Sequence, residues 1–171
     1  MELNLKEIFH PKMDILFVAL KQPKNANNGR HYFSNNLSFW NLLFKSGLIV
    51  NPILNKLKGD EFVFKINRIN LNNSVYSICD LVNDAIETNS NKVIVNQNRA
   101  HKILQILAKY EIEKLCLMHS KVINAFAKEG LIHLKEGYGQ VGSYENTIIF
   151  KMPFHNASIE NKVQYYKLLI N

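Results

Sequence analysis

His31, Tyr32 and Phe33 stand side by side in a polar loop, and their types are those of a ligand-contacting surface. The stretch around them reads DILFVAL, then KQPKNANNGRHYF, then SNNLSFW, from Asp14 to Trp40. A short apolar run stops abruptly at Lys21 and Gln22, an amine and an amide placed at the end of a buried strand. The loop that follows holds Pro23, Gly29 and five asparagines between Asn25 and Asn36, then leads into an amphipathic segment. Loops this long in a compact domain are usually functional or disordered, and aromatics are uncommon in disordered linkers. A second polar loop, PFHNAS from Pro153 to Ser158, follows another apolar run and carries His155 and Asn156. Other chemistries lack their motifs. There is no GxSxG elbow, no GxGxxG turn and no phosphate-binding P-loop. Cys116 and His119 are two residues and do not make a metal site.

The elements that must position these residues follow from periodicity. Met1 to Met13 reads as a lead-in, with Pro11 stopping any helix. Strand-like runs cover Ile15–Leu20, Val75–Val82, Glu113–Met118 and Thr147–Met152. Helical patterns cover Leu37–Ser46 with Gly47 as stop, Gln97–Tyr110, Val122–Lys128 and Ile159–Ile170. Pro52 opens a short helix to Leu57, and Gly59 and Asp60 turn the chain. Phe62, Phe64 and Ile66 alternate as an edge strand or extended loop. Leu131–Val141 reads as a glycine-containing connection. Strands alternating with helices predict an α/β fold: a three-layer sandwich with a central, mostly parallel, four-stranded sheet and helices on both faces. In such sheets ligands bind at the carboxyl ends of strands. The loops after the first and fourth strands then open on one edge and form one pocket.

Residues 1–171 carry no internal repeat and no linker, so a single domain is expected. A 47% hydrophobic, 20% charged composition predicts a globular, soluble chain, and no apolar run is long enough for a membrane span. The opening MELNLKEIF has acidic residues and no long apolar core, unlike a signal peptide. Cys79 and Cys116 each sit in an apolar run, the pattern of reduced buried thiols and a cytoplasmic location. The net charge of +7 fits a polyanionic partner such as DNA, although a Lys- and Asn-rich composition alone gives the same sign.

The chain resembles the uracil-DNA glycosylase superfamily, most closely its mismatch-specific uracil/thymine branch. The features that carry the likeness, roughly from Asp14 to Tyr166, are ILFVALKQP as first motif and GRHYF with FW as base-binding loop and helix. SICDLV supplies a middle strand, HSK resembles a Gly-Lys turn, and MPFHNAS resembles the second motif. The resemblance implies a monomeric base-excision enzyme that flips a nucleotide out of DNA and hydrolyses its N-glycosidic bond, without metal or cofactor. The base would be uracil, hypoxanthine or thymine. Ala19, Leu20, Gly29 and His31 would then approach the base. Tyr32 would stack on it, or Phe33 in its place. Met152, Pro153 and Asn156 would line the same pocket, and His155 would contact phosphate or sugar. Lys121, Phe154 and Ser158 would touch DNA.

One departure bears on catalysis. The branch positions its water with an Asn before Pro, and here strand counting puts Lys21 there while anchoring on the proline puts Gln22. Gln22 can hold water through its amide oxygen, one methylene further out. A Lys21 amine is a poor partner for a water near a cationic sugar, and only burial would make it a base or an amine nucleophile. The alternative is a catalytically degenerate, DNA-binding member of the same fold. Phe154 and His155 also stand where small residues are usual.

Overall fold

The computed structural model describes residues 7–22, 31–34, 36–86, 98–128, 132–153 and 157–170. Five strands form one sheet: β1 (Lys12–Gln22), β2 (Tyr76–Ile86), β3 (Glu111–Leu117), β4 (Gly139–Tyr144) and β5 (Thr147–Lys151). Their order is β2-β1-β3-β5-β4, with every pair parallel except β4 against β5. Among the described residues four α-helices flank the sheet: α1 (Ser38–Lys45), α2 (Asn98–Lys109), α3 (Ser120–Lys128) and α4 (Ile159–Tyr166).

The unbroken apolar run of β1 is explained by burial on both faces, as parallel strands require. Alternate residues serve opposite layers. Leu16, Val18 and Leu20 pack with Ile103 and Leu107 of α2 and Phe126 of α3. Ile15 and Phe17 pack with Phe39, Trp40 and Leu43 of α1 and Tyr166 of α4. The result is helix, sheet and helix in three layers. α1 ends at Gly47, whose φ of +82° is the left-handed stop that its position requires.

Three expectations are corrected. The sheet has five strands because β4 adds an antiparallel edge where a connection was expected. Its two glycines hide it from strand propensity. Gly142 is there for space, since a Cβ would crowd the His133 carbonyl at 2.9 Å. Phe62, Phe64 and Ile66 are not an edge strand but part of a π-helix, Glu61–Ile66. Its buried residues are the neighbours Val63 and Phe64, whereas Phe62 and Ile66 are exposed, so the alternation did not mark a face. The segment after Pro52 forms only a short 3-10 turn, Lys56–Lys58.

Candidate functional site

Because β1, β3 and β5 are parallel neighbours, their carboxyl ends lie on one edge. Val18 is level with Leu117, and Leu117 with Lys151. The loops after β1 and β5 therefore leave from the same side. They meet there: Asn36 from the first and Pro153 from the second line one narrow cleft, whose other walls are Ser38, Phe39 and Leu42 of α1 and Ile159, Lys162 and Tyr166 of α4. Between these residues the cleft is about 20 Å³, room for a single water and much smaller than a nucleobase.

The turn carrying the aromatics is held from below. The buried Asp60 side chain accepts from His31 Nδ1 at 3.1 Å, from the Tyr32 N–H at 3.1 Å and from the Glu61 N–H at 3.0 Å. Gly59 lies against the Trp40 indole so closely that any side chain there would collide with the ring. Tyr32 points inward and is 4% exposed. Burial, and then the nearby Asp80 carboxyl, push its phenol well above the usual value. Phe33 is half-buried and stacks on Phe39, with ring centroids 3.8 Å apart. It holds φ at +61°, a left-handed conformation that bulky residues avoid and that tends to concentrate at working sites. Two buried polar atoms of this region, Ser34 Oγ and Trp40 Nε1, have no hydrogen-bond partner.

One residue with functional chemistry carries almost no signal in the sequence. Asp80 is paired with Ala19 across β1 and β2, on the face covered by α1, and is 4% exposed. Burial pushes its carboxyl up to about 7; Glu7 adds to the rise and the Lys21 ammonium opposes it. At neutral pH it is thus divided between a hydrogen-bond donor and an acceptor form. Its signal in the sequence is a single acid inside the apolar run SICDLV.

The other expected residues fall as follows. Ala19 and Lys21 are half-buried at the carboxyl edge. Leu20 points to the opposite layer, into the α2–α3 core, so its side chain is turned away from Ala19. Met152 and Pro153 are buried, Met152 in the core beneath α1. Lys121 lies in the first turn of α3, where its N–H donates to His119 Nδ1 at 3.0 Å. The Ser158 hydroxyl caps α4 by accepting from the Asn161 N–H. Gly29, Phe154, His155, Asn156 and the Gln22 side chain lie outside the described residues.

A larger cavity, about 160 Å³, opens at the opposite, amino edge between Asp14, Ser74, Tyr76 and Lys114. Two of its charged side chains, the half-buried Asp14 and the buried Lys114, are already committed to the fold. Asp14 accepts from the Val75 N–H at 2.7 Å, and Lys114 Nζ donates to the Leu169 carbonyl at 2.7 Å.

Among the described residues no group of His, Cys, Asp and Glu is arranged to hold a metal ion, and no helix is long and apolar enough to cross a membrane. Cys79 and Cys116 are buried free thiols. No protein-family model matches the chain, and no curated protein matches it.

Proposed function

We propose that the chain is a DNA glycosylase of the uracil-DNA glycosylase type, excising a deaminated or mismatched base by flipping it to the carboxyl edge of the sheet. The observation that carries this reading is the convergence of the two motif-bearing loops, through Asn36 and Pro153, on that one edge. The four parallel strands in the order β2-β1-β3-β5 are compatible with the expected sheet, with β4 an addition at its border.

In this reading Phe33 is the ring that meets the base. One of its faces is occupied by Phe39, and it keeps more exposed surface than Tyr32. Tyr32 then serves as the floor beneath it. Asp80 reads a polar edge of the base, since its neutral carboxyl offers one donor and one acceptor. The 20 Å³ cleft is too small for the base and is lined by Phe39, on which Phe33 stacks, so Phe39 and Pro153 separate as the nucleotide enters and reaches Phe33. The reaction is hydrolysis. The bond from C1′ to the base nitrogen breaks with its electron pair leaving on the base. The water oxygen bonds to C1′, and the water's proton ends on the base.

The degenerate, DNA-binding reading rests on a separate observation. Strand counting puts Lys21, and the proline puts Gln22, where the branch has Asn; neither is the usual residue, and a Lys21 charge would oppose the cationic sugar of the transition state.

A panel of labelled duplexes carrying uracil, hypoxanthine, xanthine or a G·T pair separates the two. Release of free base with an alkali-labile abasic site supports the glycosylase. Salt-dependent binding without release from any member supports the degenerate reading, and absence of both rejects the family assignment.

A further inference from the structure

Between Asp14 and Asp60 the chain has no acidic residue and six lysines and arginines. This stretch contains the aromatic loop, and it ends in an unusual excursion. From Val50 to Lys58 only Ile53 is buried, and Lys56 is half-buried. Leu54 is 96% exposed and Val50 52%, beside the exposed Asn51, Asn55, Leu57 and Lys58. A single exposed leucine is ordinary. A ledge that repeatedly turns apolar side chains outward between lysines is less so.

The ledge is not a loose loop. Ile53 anchors its middle in the core beneath α1. Gly59 seats its end on Trp40, and Asp60 fastens that end to His31 and Tyr32. Lys58 is two residues from Asp60, so its Cα lies within about 7 Å of the residue that holds the aromatic turn. The ledge is therefore a fixed shelf that runs from Val50, whose N–H donates to the Ile69 carbonyl towards the amino edge, to Lys58 beside the turn of His31 and Tyr32.

We infer that Val50–Lys58 is a second duplex-contacting element, with Lys56 and Lys58 on phosphates of the DNA and Leu54 against the groove beside the flipped nucleotide. The inference rests on the glycosylase-type reading and names a surface that the two motif loops do not include. The chemistry is complementary. Ammonium groups neutralise phosphates and release counterions, which makes binding salt-dependent. An apolar side chain pressed into the groove supports a distorted duplex. A lipid surface also attracts lysines and leucines, but the Lys58 end of the ledge adjoins Asp60, which holds the aromatic turn of His31 and Tyr32, and this favours a ligand that also reaches that turn.

The test is fluorescence anisotropy with a short labelled duplex containing uracil, over about 50–200 mM salt, using the full chain. Three proteins are compared: the unaltered chain, Leu54→Ser and the double variant Lys56→Ala/Lys58→Ala. Leu54 and Lys58 are exposed and Lys56 is half-buried, and thermal melts confirm that the variants fold. The double variant is expected to lower the slope of log affinity against log salt by about two. Leu54→Ser is expected to weaken binding about tenfold with the slope unchanged. If the unaltered chain binds the duplex and both variants bind equally well with the same slope, the ledge is not a DNA contact and the inference fails alone. If the unaltered chain binds no duplex, the functional reading fails with it. Tight, ledge-dependent binding to phosphatidylserine vesicles with weak duplex binding also overturns the inference.

Discussion

The amino and carboxyl edges of the sheet carry similar residue types and hold them in opposite ways. At the amino edge, polar side chains fasten backbone to backbone. Asp14 holds Val75, the Tyr76 hydroxyl donates to the Leu48 carbonyl, Lys114 holds Leu169, and Thr147 donates to the Ile112 carbonyl, all within 2.8 Å. At the carboxyl edge a carboxyl is buried with its proton affinity raised, and a bulky phenylalanine sits at positive φ. Buried polar atoms without partners among the described residues occur on both sides, Ser34 Oγ and Trp40 Nε1 here and Asn70 Oδ1 and Ser77 Oγ near the other edge, where the positive-φ residues Asn72 and Asn73 are small asparagines. A buried titratable acid and a bulky residue at positive φ both cost stability, and such features collect where a protein does something besides fold. The larger cavity at the amino edge is therefore the less informative one. Volume there is lined by groups already in use.

Five substitutions sharpen or break this contrast. The largest effect is expected from Asp80→Asn. The folded chain holds a proton on Asp80 that the unfolded chain releases between about pH 4 and 7. Stability therefore falls as pH rises through that window and stays lower above it. The rise from 3.8 to about 7 corresponds to about 4 kcal/mol. Asp80→Asn should remove most of this dependence, raising the melting temperature at pH 8 and changing it little at pH 4. An unchanged slope of stability against pH would place the perturbed group elsewhere.

Gly59→Ala comes next. The added methyl meets the rigid, buried Trp40 indole, and overpacking of this kind costs about 1–3 kcal/mol. Urea unfolding reads it directly. A matched pair follows. Asp60→Asn and Asp14→Asn each weaken charge-assisted bonds to buried backbone, worth about 1–3 kcal/mol apiece. Only Asp60→Asn should also weaken duplex binding in the anisotropy titration. Equal losses of binding from both would erase the distinction between the edges. The smallest effect is expected from Lys114→Met, which removes a buried ammonium and leaves one carbonyl without its donor. Denaturation should shift by about 1 kcal/mol or less, with duplex binding intact.

Much of the fold is legible in the sequence because its dominant signals are long. The run MDILFVAL must be a two-sided buried strand, and the spacing of Ile103, Leu104, Ile106 and Leu107 must be a helix face. β4 is not legible because Gly139 and Gly142 serve loop packing, which leaves no alternating pattern. The π-helix misleads because the spacing of Phe62, Phe64 and Ile66 mimics a strand while burial selects Val63 and Phe64. At the site, the two loops announce themselves by composition. Asp60 does not, since beside Gly59 it reads as a turn residue, and its partnership with His31 spans 29 positions. Asp80 shows only as an acid inside an apolar run. The exposed ledge reads in the sequence as a short helix from Pro52 to Leu57, and only the burial of Ile53 and the seat of Gly59 on Trp40 reveal it as a fixed, mostly non-helical shelf.

The contrast between the edges is tested most directly by mapping backbone amide shifts while titrating the chain with a duplex carrying a non-cleavable deoxyuridine analogue. The account predicts shifts at Ala19, Lys21, Asp80, and from His31 to Ser34, with little change at Asp14, Ser74, Tyr76 and Lys114. Shifts concentrated around Lys114 and Ser74, with the His31–Ser34 turn silent, would contradict it.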